Sequence, residues 1–404
     1  MLEFLSANTR AVSPQRAVAE AMELAFGEHP PACDLVLINA AVGHDLVALS
    51  QQVRTQCPGA RVLAASCAGV VGRDGPGESM HDIAVMALRG EGYVVAHVDG
   101  LFGDTSFEKG AELARGLLGT PHPVRMLYLL ASGIDIANDQ VIAGIESVLG
   151  TDVVIFGATS SDQMQGVATF QAIDGVRYQH AAFAVGIWDP TLEVETQATH
   201  GFLAVGEPLV VTKAVGNRII ELDGAPAWPA FLARLGLPAD ATEADTIPIG
   251  ALAEVLPANL AAEYGNSHIL RVVTHHSADG EIIYATECPV GTHLWLTVRD
   301  EDLIFRDMDR MLETMVARRP HDHPVAVFQA DCLARGRRLF NRVMKEELVH
   351  RIQQPLTTDG VVPPWFGMYG FGEYAHLGGA NAYHNYTTAL AVLYRRAAPT
   401  GGRG

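Results

Sequence analysis

The sequence predicts an α/β protein of two domains, with mixed sheets built from a repeated strand-helix-strand-strand unit. Three observations carry this reading. Apolar runs of strand length alternate with amphipathic runs of helix length, and the steps between them have the length of parallel crossovers. The order helix, strand, helix and three strands over residues 13–98 recurs over residues 106–198, so the first half reads as an internal duplication. A third copy of the core step lies in the carboxyl half, and in each copy the second strand ends in a turn of small residues. With 404 residues the chain exceeds one ordinary core, and 49% hydrophobic against 18% charged residues leaves ample apolar surface to bury.

Taken in order, Ser13 caps a helix that Pro14 starts and Gly27 stops. A buried strand is expected over 34–39, a helix over 45–56 closed by Pro58-Gly59, and a strand over 61–69. Strands over 82–88 and 93–98 complete the first copy. The second has helices over 106–118 and 138–149, with strands over 124–130, 151–162, 167–173, 179–187 and 192–198. Residues 201–222 are strand-like, 226–235 reads as a short helix at a boundary, and 237–248 as a loop. Strands over 269–274, 281–288 and 292–298 precede the third copy: a helix over 302–317, a strand over 324–329 and a helix over 336–352. Its ending, residues 364–393, is the least generic stretch. Strands over 365–371 and 386–393 flank a connection shaped by Gly370, Gly372, Gly378 and Gly379.

Composition narrows the function classes. A formal charge of -18 repels phosphate backbones and anionic lipid heads, which argues against nucleic-acid and membrane-surface partners. No apolar run approaches the roughly 20 residues of a membrane helix. The amino end lacks the pattern of a signal peptide, so a cytoplasmic location is expected. The five cysteines form no closely spaced pair and read as reduced thiols. Gly72-Arg-Asp-Gly-Pro-Gly77 lacks a nucleotide-loop pattern and reads as a turn.

Several segments together resemble the FIST sensory proteins: Ala64-Ala-Ser-Cys-Ala-Gly69, Phe156-Gly-Ala-Thr-Ser-Ser-Asp162, Ala326-Val-Phe-Gln-Ala-Asp-Cys-Leu-Ala-Arg335, Gly370-Phe-Gly-Glu373 and His384-Asn-Tyr-Thr387. The carboxyl motifs are the more specific ones. The resemblance implies a FIST N-terminal domain over 28–222 and a FIST C-terminal domain over 223–396. It also implies a sensory input protein that binds a small ligand, such as an amino acid, and signals to a separate output protein such as a histidine kinase. One branch of free-standing bacterial FIST proteins is similar to haem-binding nitric oxide sensors, which makes haem the alternative cofactor.

The candidate ligand-binding residues are Cys332, Arg335, Gly372, Glu373, Asn385, Asp162 and Cys67. Arg335 near a helix start suits a carboxylate, and Glu373 or Asp162 suits an ammonium group. Against this stands the plain reading: structural thiols, a solvated arginine, and acids that cap local backbone amides. Overlaying the small-residue turns at Gly69, Ser161 and Gly372 places Asp162 and Glu373 at matching positions. Among the 16 histidines, His384 is the candidate if haem is bound, whereas His275-His276 and His321/His323 have surface spacing. A cysteine-dependent enzyme using Cys67 or Cys332 is the remaining alternative; no base is identifiable beside Cys67, and a non-enzymatic protein is expected.

Overall fold

The computed structural model of the chain describes residues 1–29, 31–163, 165–273, 275–336 and 342–396. Three six-stranded sheets share one strand order. The first runs Glu3–Thr9, Ile83–Arg89, Leu35–Ala41, Arg61–Cys67, Gln171–Ile173 and Val176–Tyr178. The second runs Tyr93–Asp99, Ala181–Ile187, Met126–Ala131, Val154–Thr159, Glu373–Leu377 and Ala380–His384. The third runs Leu192–Thr199, Thr388–Arg395, Pro324–Cys332, Trp365–Gly370, Val70–Gly72 and Gly75–Gly77. In each, the two central strands are parallel and joined through a helix, and all other neighbours are antiparallel.

The outer hairpins are exchanged between copies. The hairpin after the first parallel pair, residues 70–77, completes the third sheet by pairing with Trp365–Gly370. The hairpin 171–178 of the second copy completes the first sheet, and the hairpin 373–384 of the third copy completes the second. The observed unit is therefore longer than the expected one: strand, helix, strand, helix, strand, hairpin, strand. Its opening strand in the first copy, Glu3–Thr9, is absent from the sequence-based expectation.

The parallel strands are apolar on both faces because both faces are covered. Leu35 and Leu37 point into a central core while Val36, Ile38 and Ala40 pack under the helices Pro14–Phe26 and Leu46–Gln56. The same alternation holds in the second sheet, with Met126, Tyr128 and Leu130 inward and Leu127, Leu129 and Ala131 toward the helices Ser106–Arg115 and Asn138–Leu149. The three sheets meet at the central core, where Tyr128 lies 5.1 Å from Phe328 and 5.9 Å from Phe366, and Phe4 lies 6.3 Å from Phe328 between ring centroids.

Between Leu192–Thr199 and the helix Glu301–Arg318 the third copy carries an insert, residues 202–299, whose strands form a separate eight-stranded sheet. Of the strands expected there, 281–288 is reduced to Ile282–Ile283, and the expected loop at 237–248 contains the short helix Glu243–Thr246. Thr274, the expected end of one strand, lies outside the described residues, as do residues 337–341 in the first part of the expected 336–352 helix. The described part of that helix is Arg342–Gln353.

Strand Leu192–Thr199 pairs along its whole length with Thr388–Arg395. Sheets thus cross the boundary at 222/223. Rotating one half against the other would break these ladders and those of the exchanged hairpins, which argues against a simple hinge between the two halves.

Candidate functional site

The small-residue turns close the carboxyl ends of the three parallel pairs, and the structure brings them together. Ser66 Oγ donates to the Ser161 carbonyl at 3.1 Å, the Ala68 amide donates to Ser161 Oγ at 2.9 Å, and Ser161 Oγ donates to the Tyr369 carbonyl at 2.7 Å. The amides of Phe371 and Thr159 donate to the carbonyls of Thr159 and Gly372. Small side chains are needed because backbone approaches backbone here.

Around the third copy's corner sits a buried polar cluster. Cys332, opposite Gly370 at the end of the parallel pair, has its Sγ 3.9 Å from the Phe371 carbonyl. Asn385 Nδ2 donates to that same carbonyl at 2.8 Å, and its Oδ1 accepts from the Val272 amide of the insert at 3.2 Å. Arg335 Nη1 donates to the carbonyls of His200 at 3.1 Å and Tyr386 at 3.4 Å. Glu373 stands directly opposite His384 in its hairpin, and Asp331 opposite Thr388 in the adjacent sheet. A side chain at Gly372 would overlap the Tyr383 hydroxyl, so only glycine fits there. Cys332, Arg335, Gly372, Glu373 and Asn385 therefore share one site.

This site is dry. Arg335, Glu373 and Asn385 are 0% exposed, Asp331 1% and His384 2%. Burial, reinforced by Asp331, pushes the Glu373 carboxyl well above the ordinary carboxylate range, and the Arg335 charge and Thr387 amide only partly oppose it. Burial likewise raises Asp331 to about 6 and lowers Arg335. Neither Glu373 oxygen, nor Asp331 Oδ1, Thr388 Oγ1 or His384 Nε2, has a partner in good hydrogen-bond geometry; the Thr387 amide stands near Glu373 and the Thr388 hydroxyl near Asp331 without closing a well-formed bond.

The insert forms the roof. Tyr264, at the end of its helix Ala258–Tyr264, places its hydroxyl 3.1 Å from Thr387 Oγ1 and 3.3 Å from His384 Nδ1. Arg271 donates to the Tyr383 carbonyl, and Tyr386 donates its hydroxyl to the Ile247 carbonyl at 3.1 Å. Tyr386 holds φ at +55°, a left-handed conformation costing a non-glycine residue on the order of 1 kcal/mol, next to Asn385. His200 Nδ1 accepts from the Phe202 amide at 2.9 Å, which leaves Nε2 as the donor to the His268 carbonyl at 3.0 Å.

Two expected members lie elsewhere. Asp162 is occupied by its own loop: Oδ1 accepts from the amides of Gln165 at 2.8 Å and Gly166 at 3.2 Å, and Oδ2 from Val167 at 2.9 Å. The overlay with Glu373 fails on register. Glu373 pairs with Ala158 on its host strand, and the residue that pairs correspondingly with Ala65 is Gln171, because the second copy has an extra loop over 162–170. Cys67 is 0% exposed within the central core, where burial raises its thiol, so it is a packing residue. Sequence reasoning also missed Asp331, His200, Tyr264, Tyr386 and Thr388. Asp331 had a visible signal, a lone acid inside an apolar strand.

The surroundings of His384 do not fit a haem. Its ring is 2% exposed and packs 5.2 Å from Tyr264, which packs 5.2 Å from His200, so a macrocycle bound to this side chain would have to displace packed residues. His276 stacks on Trp228 at 4.4 Å and faces Glu243, and among the described residues no three His, Cys, Asp or Glu side chains group as a metal site.

Burial pushes His200 and His384 down to about 3. Their folded values lie below the unfolded value, so the unfolded state takes up more protons and stability falls as pH drops below about 6.5. Between pH 7 and 5 each histidine should remove about 2 kcal/mol. The raised Glu373 and Asp331 act with the opposite sign over the same range, so the test is the difference: in urea unfolding His384→Gln should lose about 2 kcal/mol less than the wild type between pH 7 and 5. Equal losses in both proteins would contradict a buried, neutral His384.

The FIST N domain family matches residues 34–225, and the FIST C domain family matches residues 232–376. The chain is 25% identical over 392 residues to an uncharacterized protein of Mycobacterium tuberculosis, spanning 94% of this chain and 96% of that one. It is 28% identical over 213 residues to an uncharacterized protein of Mycobacterium bovis, spanning 52% and 53% respectively. Among solved structures, a cyanuric acid hydrolase from A. caulinodans aligns over 98% of this chain and 100% of that chain at 10% identity, with a TM-score of 0.34. At that score the likeness carries no argument about function. No helix among the described residues is long and apolar enough to cross a membrane.

Proposed function

Because the chain belongs to the FIST family, with both its N and its C domain, and FIST domains are sensory domains of signal transduction, we propose that it is an input protein whose C-domain corner recognises a small amine, an amino acid or similar metabolite. The observation that carries this is the gathering of two buried carboxyls, Glu373 and Asp331, with Oε1, Oε2 and Oδ1 lacking a well-formed hydrogen bond, in one corner closed to bulk solvent. Folded proteins leave few such atoms, and a cluster of them calls for a missing partner. A ligand ammonium supplies three donors and the positive charge that a second buried carboxylate lacks. With Asp331 balanced by Arg335, Glu373 is the acid left to neutralise. For an amino acid the carboxylate would lie toward Arg335.

The site recognises and does not react in this reading, since burial keeps the Cys67 and Cys332 thiols protonated. Entry requires the roof to lift. Shared sheets lock the halves together, so the insert is the moving part whose position a separate partner, such as a histidine kinase, reads. A thermal-shift screen of amino acids and small amines tests this. At least one should raise the melting temperature of the wild type and leave Glu373→Gln unmoved. If no amine stabilises the protein, or the variant responds equally, the reading is wrong.

A further inference from the structure

The insert roofs the third corner, and its Ala285 carbonyl and Glu287 amide close over the helix start at Asn138 and Asp139 in the second. The first corner is different. Outside the carboxyl ends of Leu35–Ala41 and Arg61–Cys67 lies a cleft of about 610 Å³, walled by the turn 42–46, Ser66, the loop 162–170 and the hosted hairpin. This is where open α/β sheets bind ligands. Its apolar lining is Leu46 and Phe170 with the more exposed Val42 and Val167. At its rim the exposed Arg177 guanidinium lies 4.9 Å above the Phe170 ring centroid, and among the described residues no carboxylate pairs with it. The acids in the wall are already occupied: Asp45 Oδ1 accepts from the amides of Val47 and Ala48, and Asp162 from three amides of its loop. Arg177 is therefore the cleft's available charge, and a planar guanidinium beside the Phe170 ring can take a carboxylate bidentately.

We propose that this cleft is a second ligand site, for a small carboxylate with a ring-sized apolar body. The carboxylate pairs with Arg177 and the body lies against Phe170, Val42 and Leu46. The site is independent of the Glu373 corner, which selects for an ammonium group that such a ligand lacks.

Benzoate and its uncharged analogue benzamide are suitable probes on the full chain, with binding read by saturation-transfer NMR and titration. Benzoate should bind, benzamide should bind at least about tenfold more weakly, and Arg177→Gln should cost benzoate on the order of tenfold in affinity. Arg177 is exposed, so the variant should keep the wild-type melting temperature. Phe170→Leu should weaken both probes. Absence of benzoate binding, equal binding of benzamide, or an unchanged affinity in Arg177→Gln would each overturn the proposal.

Discussion

Replacing Glu373 by glutamine should stabilise the ligand-free protein at neutral pH by about 1–3 kcal/mol, the range for relieving a buried, unpartnered polar group. The glutamine is nearly the same shape, carries no charge to bury, and brings amide donors into the neighbourhood of Asp331, whose Oδ1 lacks a partner. The sign of the pH dependence is fixed by direction. The folded Glu373 carboxyl titrates well above the ordinary value, so its protonated form is fully tolerated below about pH 4.5, and stability is lost as pH rises toward the folded value, by up to about 1.4 kcal/mol per unit. The advantage of Glu373→Gln should therefore be near zero in acid and grow with pH. Asp331, raised to about 6, adds a loss of the same sign in both proteins and largely cancels in the difference. Urea unfolding of the two proteins at several pH values checks this. A variant that is less stable at neutral pH, or a difference that does not change with pH, would count against the buried acid. A site kept at the expense of stability is what a recognition role requires.

The largest loss of stability should come from Gly157→Ala. Gly157 lies in the second sheet between Leu129 on one side and Tyr374 of the exchanged hairpin on the other. Its φ is +151°, and an added Cβ would overlap the Leu129 carbonyl oxygen. Backbone on both sides cannot yield without breaking a ladder, so the substitution should cost more than about 3 kcal/mol and loosen the hairpin that carries Glu373. Gly119→Ala, also at positive φ but with nothing within 4 Å of the added atom, should cost only about 1 kcal/mol. Similar costs at both positions would show that the close approach across the sheet is not what demands glycine.

The mixed α/β character was legible in the sequence because parallel strands buried on both faces leave continuous apolar runs, as in Leu35–Ala41 and Met126–Ala131, spaced by helices. The exchange of hairpins was not. A hairpin's sequence encodes its own turn, as at Gly378-Gly379 with φ of +57° and +80°, yet says nothing about which sheet it completes. The same gap explains the site. Glu373 and Asn385 could be found from their place in a glycine-rich run, whereas Tyr264 and His200 join them only because an insert folds back over the corner. Asp162 misled because residues 162–170 lengthen one copy, and only the pairing register reveals which positions correspond.

Recognition at this corner exchanges the proton of a buried acid for a ligand's positive charge. Calorimetric titration of the first amine or amino acid found to stabilise the protein, repeated at neutral pH in buffers of different ionisation enthalpy, measures that exchange. Binding to the wild type should release about one proton, and Glu373→Gln should release none. Binding without proton release from the wild type, or the same release from both proteins, would contradict it.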